Sequence, residues 1–184
     1  MPPSNITRNL FLLNLITVVF LFSVQEALAA NNGQQSFETR YAAVYYPDED
    51  ALHDFGKKIG GIAFLGRDPE RDRASIGATV DRIVFRVETI LDMFPNDFHF
   101  NVYIYPTYAE IKDIYREKGF IEDSPVAFYS HTSMGIYLAA EKITDRVFAH
   151  EIAHAVINSY FLTPPPAGMQ EILAQYVDKH LWEK

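Results

Sequence analysis

The absence of cysteine limits how this chain can be stabilised. None of its 184 residues is a cysteine, so disulfide bonds and thiolate metal ligands are both excluded. A folded domain must then rely on its hydrophobic core or on a bound metal. The length suffices for one domain with a sizeable core, and 48% of the residues are apolar, which indicates a globular chain.

The N-terminus has the three-part pattern of a secretory signal peptide. Arg8 precedes an apolar run over residues 10–24, and Ala27-Leu28-Ala29 follows as an A-x-A cleavage site. We therefore expect export to the periplasm or secretion, with no membrane span after cleavage. An uncleaved anchor is the alternative, although the run is shorter than the roughly 20 residues that a span needs. The predicted segments are a signal peptide over 1–29, a flexible leader over 30–36 and one domain over 37–184.

The charge balance argues against nucleic acid as a partner. The formal net charge is −8, and no cluster of Lys and Arg could neutralise a phosphate backbone. The acidity indicates little beyond solubility. The pattern does not indicate an oligomeric state.

Hydrophobic spacing predicts an α+β domain with a mixed or antiparallel sheet. Apolar residues recur at helical spacing in some segments and alternate in others. Thr107 is expected to cap a helix, with Glu110 three residues later, and either Thr144 or Asp145 is expected to cap the helix at 145–161. A charged loop is expected over residues 67–73, and a hairpin near 126–139. The predicted strands are 41–46, 98–105, 126–129 and 135–139, and the predicted helices are 48–65, 76–91, 107–118, 145–161 and 168–181.

The predicted helix at 145–161 carries the sequence His-Glu-Ile-Ala-His. Positions i and i+4 lie on one helix face, so His150 and His154 could bind one Zn²⁺. Glu151 projects about 100° around the helix, beside the open position of the metal, where it could act as a general base. The opposite side of the helix is apolar, so the histidine face would line a cleft. The apolar residues there are Phe148, Ile152, Ala155 and Val156.

A catalytic zinc usually has three protein ligands, so a third is needed. The Gly and third His that metzincins carry soon after the second His are absent here, which excludes that class. Glu171 lies in the first turn of the next predicted helix, after the prolines of residues 164–166, and a helix-linker-helix could fold it back towards the histidines. Asp178 and His180 are the other downstream candidates, about two turns further on.

Residues 168–177 read Gly-Met-Gln-Glu-Ile-Leu-Ala-Gln-Tyr-Val. This stretch resembles the "glutamate helix" of the gluzincin clan of metallopeptidases, commonly W-L-x-E-G-L-A-x-Y-V. The resemblance implies that Glu171 is the third zinc ligand. Gly168 replaces the usual Trp and Ile172 the usual Gly, and neither position is a ligand. Over roughly residues 98–184, it implies a small zincin-like domain that hydrolyses peptide or protein substrates with the motif glutamate as general base.

The resemblance also implies a substrate-binding strand and an oxyanion partner. In this family an edge strand pairs with an extended substrate, and Gly135–Ala139 is the candidate here. Larger members supply the oxyanion-stabilising His or Tyr from a later subdomain, whereas this chain stops 13 residues after Glu171. The candidate edge-strand residues are Gly135, Ile136, Tyr137, Leu138 and Ala139. The candidate transition-state stabilisers are Tyr137, His131, Tyr160, Tyr176 and His180.

Two other interpretations of the motif are open. The domain could be a non-catalytic periplasmic binding or assembly module that retains zinc for stability, since no oxyanion residue stands out. The His-Glu-x-x-His pattern also occurs by chance in roughly one of every few hundred chains of this length. Metal analysis of the purified protein would separate the chance match from the other two.

Overall fold

A five-stranded mixed sheet lies at the centre of the fold. The computed structural model describes residues 34–60, 66, 68–119 and 125–183. The strand order is β1-β2-β3-β5-β4. Strands β2, β3 and β5 run parallel, while β1 and β4 pair antiparallel at the two edges. The strands are β1 (Gln35–Glu38), β2 (Ala42–Tyr46), β3 (Phe100–Tyr105), β4 (Ala127–Ser130) and β5 (Gly135–Ala139).

Five helices within the described ranges accompany the sheet, and the predicted α+β class is confirmed. No helix among these residues has both the length and the apolar composition needed to cross a membrane. The predicted signal peptide and residues 30–33 of the leader lie outside the described residues. The helices are α1 (Glu49–Gly60), α2 (Pro69–Leu91), α3 (Tyr108–Glu117), α4 (Asp145–Tyr160) and α5 (Ala167–His180).

The alternation of side chains along the strands divides the core into two parts. Val102 of β3 and Ile136 of β5 belong to the main core, which also contains residues of α1, α2, α4 and α5. Tyr137, the next residue along β5, belongs instead to a smaller cluster with Ile111 of α3. Successive residues of a strand face opposite sides of the sheet. The smaller cluster, which we call the α3 cluster, therefore lies on the other side of the sheet from the main core.

The predicted hairpin is confirmed, but its place in the sheet differs from the prediction. β5 lies between β3 and β4, and all of its residues are buried. The prediction that Gly135, Ile136, Tyr137, Leu138 and Ala139 form an edge strand is therefore wrong, because β4 takes the edge. Local alternation identifies the two strands of a hairpin but not which of them pairs with a third strand distant in sequence.

One strand is absent from the prediction, and one helix starts earlier than predicted. β1 includes Gln35 and Ser36 of the predicted leader, and its mostly exposed, polar residues give no strand pattern in the sequence. α2 begins at Pro69, inside the predicted charged loop. The side chain of Asp68 accepts hydrogen bonds from the backbone N–H groups of Glu70 and Arg71. A capping Asp followed by Pro is typical of a helix start. Here it determines the structure, although the many charged residues of this segment suggested a loop.

Of the two predicted caps of α4, the structure shows Thr144 in the cap position. Thr144 is extended, with φ −129° and ψ 162°, and its hydroxyl oxygen accepts a hydrogen bond of 3.2 Å from the N–H of Val147. Replacing Thr144 with Ala should lower the free energy of unfolding by about 1 kcal/mol, measured by urea denaturation. Thr144→Ser keeps the acceptor and serves as the control. Equal losses in the two variants would contradict the cap.

Candidate metal centre

The three residues predicted as metal ligands converge between α4 and α5. His150 Nε2 lies 3.2 Å from His154 Nε2. Glu171 reaches both rings, with Oε1 3.5 Å from His150 Nε2 and Oε2 3.6 Å from His154 Nε2. The ligand atoms all lie within 4.8 Å of one another. This group could therefore hold a metal ion.

Polar contacts hold the C-terminal end of helix α5 against α2 and α4. Arg86 of α2 donates from Nε to the carbonyl of Leu181 at 2.9 Å, and from Nη2 to the carbonyl of Glu183. Trp182 Nε1 donates to Asp145 Oδ2 at 2.7 Å, which joins the same segment to the start of α4. A guanidinium at a helix C-terminus also complements the helix dipole. These contacts fix the helix that carries Glu171.

Each histidine has a polar partner behind its ring. Asp178 Oδ2 lies 3.2 Å from His150 Nδ1, an arrangement that leaves Nε2 directed towards the other ligands. Gln170 hydrogen-bonds His154, and Asn158 Nδ2 holds Gln170 in place by donating to its Oε1 at 2.8 Å. Burial, and then the neighbouring His150, lowers the pKa of His154. A neutral imidazole is the form that binds a metal.

Glu151 lies beside the histidines, and its environment strongly changes its ionisation. The residue is 8% exposed, and burial raises its pKa to about 8, with further increases from Glu171 and Asp178. A hydrogen bond from the backbone N–H of Tyr129 on β4 acts in the opposite direction. A cation held by the three ligands would also favour the carboxylate. Glu151 is therefore a buried acid whose charge depends on what occupies the site.

A cleft of about 550 Å³ opens onto these residues, between β4, α4 and α5. His131, in the turn after β4, is the one predicted transition-state stabiliser that lines it. Tyr137 is buried in the α3 cluster, where its hydroxyl lies 3.1 Å from Ser133 Oγ. Tyr160 is exposed near the end of α4. Tyr176 stacks on His180 along α5, outside the lining of the cleft.

Sequence reasoning missed the residues behind the histidine rings. The sequence indicates Asp178 as a possible ligand, whereas the structure places its carboxylate beside Nδ1 of His150, the ring nitrogen on the far side from the ligand atoms. Asn158 and Gln170 are absent from the predicted site. Asn158 follows His154 by four residues, and that spacing on the histidine face was a usable signal. The position of Gln170 directly before Glu171 gave no signal, because its role depends on how α5 packs on α4.

The contact between Asp178 and His150 predicts a measurable effect on metal affinity. Asp178→Ala removes the group that orients the ring and should weaken Zn²⁺ binding roughly 10- to 100-fold. Asp178→Asn keeps a hydrogen-bond acceptor and should lose less. Competition with a chromophoric chelator measures both, and Asp113→Ala on the exposed side of α3 is the control. An Asp178→Ala protein with wild-type affinity would exclude this role.

Comparisons with known proteins found no relatives. A scan against protein-family models gave no match, and searches of curated proteins and of solved structures found no similar protein. What this site does must therefore be argued from its own geometry and chemistry.

Proposed function

We propose that the protein is an exported zinc-dependent metallopeptidase of the gluzincin type. The observation that carries this proposal is the convergence of the ligand atoms: the two histidine Nε2 atoms lie 3.2 Å apart, and the two carboxylate oxygens of Glu171 lie 3.5 Å from His150 Nε2 and 3.6 Å from His154 Nε2. Tetrahedral zinc with bonds of about 2.0–2.1 Å spaces its ligand atoms about 3.3 Å apart. Two imidazoles and one carboxylate, with a fourth position left for water, are the ligand set of catalytic zinc sites.

When bound, Zn²⁺ supplies Lewis acidity, which polarises a carbonyl and makes water a stronger acid. Glu151 is the base that accepts the proton of the attacking water and passes it to the leaving amine. The Tyr129 N–H holds this carboxylate in position. His131 is the candidate donor to the developing oxyanion, since it lines the same cleft.

The sheet edge next to the site suits an extended peptide substrate. Among the described strands, β4 lies at the edge of the sheet and pairs only with β5, and the N–H of its Tyr129 donates to Glu151. Ala127, Phe128 and Tyr129 of this strand line the cleft beside Glu151. A peptide that paired with β4 would therefore pass the buried acid and the two histidines. β4 replaces β5 as the candidate substrate-binding strand.

Metal analysis and peptide cleavage together test the proposal. The purified protein should contain one zinc per chain, and a diverse peptide library analysed by mass spectrometry should show cleavage. A chelator should stop the cleavage, and added Zn²⁺ should restore it. An absence of metal after controlled reconstitution would overturn the proposal, and so would stoichiometric zinc without cleavage of any peptide.

The second of these outcomes would favour a non-catalytic, zinc-stabilised binding or assembly module. The observation that supports this alternative is the outer face of α5, where Met169, Ile172 and Tyr176 are all at least half exposed. Apolar residues at this spacing lie on one side of a helix, and such a surface suits contact with another protein. In that case the protein should show no peptidase activity with or without zinc, and removal of zinc should lower its free energy of unfolding.

A further inference from the structure

A cavity separate from the metal-site cleft lies near the starts of β2 and β3. Its walls are formed by residues 40–41 before β2, by residues 94–99 before β3 and by Glu88 in the last turn of α2. Among the described residues, none lines both this cavity and the metal-site cleft. Its volume is about 630 Å³, within the range of about 300–1,000 Å³ that small-molecule sites occupy. We call it the Glu88 cavity.

Glu88 is a buried acid that the proposed peptidase chemistry does not use. The residue is 3% exposed, and burial raises its pKa, whereas a hydrogen bond from the Tyr41 hydroxyl and the charge of Arg40 lower it. The side chain has no part in closing α2, because the backbone carbonyl of Glu88 accepts the N–H of Met93 at 3.0 Å. An ionised carboxylate can accept about four hydrogen bonds, so the bond from Tyr41 leaves acceptor capacity for a ligand.

Aromatic rings form the apolar part of the cavity. Phe98 is 8% exposed and packs against Tyr41 and Phe100, with ring centroids 6.3 and 5.3 Å away. Phe94 is 51% exposed, so much of its ring is free for contact with a ligand. The guanidinium of the exposed Arg40 lies over the Tyr41 ring, 5.0 Å from its centroid. A cation over an aromatic ring is therefore already a feature of this cavity wall.

We propose that the Glu88 cavity binds a small organic cation, with an ammonium group attached to an apolar body. The ammonium group pairs with the Glu88 carboxylate, and the body packs on Phe94 and Phe98. Burial favours this class of ligand, because the carboxylate has lost most of its contact with water and a bound cation gives it a charge partner. An anion would meet the same carboxylate, and the exposed Arg40 offers it only a solvated charge. This proposal does not depend on the peptidase function.

The test compares three probes of similar shape and different charge. 2-Phenylethylammonium is the cation, 2-phenylethanol the neutral probe and 3-phenylpropionate the anion. Chemical-shift titration of the purified protein by NMR gives each Kd and identifies the amides that respond, which should include residues 94–99. The cation should bind at least about tenfold more tightly than either of the other probes. A chelator should leave this binding unchanged, because the cavity has no part in the metal centre.

Two variants with matched controls assign the binding to this cavity. Glu88→Gln keeps the shape of the side chain and should weaken binding of the cation at least about tenfold, with little effect on the neutral probe. Phe94→Ala removes an exposed ring and should weaken it about two- to fivefold, which provides a test even if Glu88→Gln fails to fold. Glu117→Gln at the exposed end of α3 and Phe85→Ala, which is 58% exposed and outside the lining, should bind as the wild type does.

Several outcomes would overturn the assignment. They are no measurable binding of the cation, equal affinities for the three probes, and wild-type binding by both Glu88→Gln and Phe94→Ala. Cation binding that a chelator abolishes would place the amine at the metal centre and would also overturn it. None of these outcomes bears on peptide cleavage, so the two proposals can fail separately.

Discussion

The Glu151→Gln protein should bind Zn²⁺ as tightly as the wild type and cleave peptides roughly 10²- to 10⁴-fold more slowly. Gln has nearly the shape of Glu, so the packing beneath β4 should survive, but an amide does not accept the proton of the attacking water. The side chain is not among the three proposed ligands, so metal content should be unchanged. The measurements are kcat/KM on a peptide cleaved by the wild type and zinc content by mass spectrometry.

A charge-matched control separates this effect from a general loss of acidity. Glu117→Gln removes a carboxylate from the exposed end of α3 and should leave both turnover and zinc content unchanged. A metal-loaded Glu151→Gln protein with wild-type activity would exclude Glu151 as the base. A Glu151→Gln protein that lost its zinc would show instead that the residue supports the metal site.

The parts of the fold that were predicted correctly depend on local sequence. The caps at Thr107 and Thr144 lie where short-range hydrogen bonding requires them. The spacing of four residues places both histidines on one face of α4, and this placement does not depend on tertiary contacts. The same dependence on local sequence explains why the helix with the two histidines and the helix that carries Glu171 are both predictable from the sequence.

The parts that were not predicted depend on contacts between distant segments. β5 pairs with β3, which precedes it in the chain by a crossover that includes α3. No sequence pattern within the hairpin indicates this pairing. Arg86 bonds to Leu181, 95 residues away, and no local pattern marks an arginine for that contact. The partners of the histidine rings also depend on contacts between distant segments, since Asp178 reaches His150 only because α5 packs on α4.

The second large effect concerns the fold alone and needs no metal. Phe148 is fully buried on α4 and meets Phe55 of α1 edge to face, with ring centroids 5.3 Å apart. Phe148→Ala would leave a cavity between these helices and should lower the free energy of unfolding by about 3–5 kcal/mol. Urea denaturation of the metal-free protein measures this loss directly.

An exposed phenylalanine provides the matched control for that loss. Phe85 on α2 is 58% exposed, and Phe85→Ala should change the free energy of unfolding by no more than about 0.5 kcal/mol. Similar losses in Phe148→Ala and Phe85→Ala would mean that α4 does not pack as described, and the convergence of His150 and His154 with Glu171 would lose its basis. A large loss in Phe148→Ala alone would support the packing of α4 even if Glu151→Gln proved active, because the first variant tests the contact between Phe148 and Phe55 and the second tests the proton transfer assigned to Glu151.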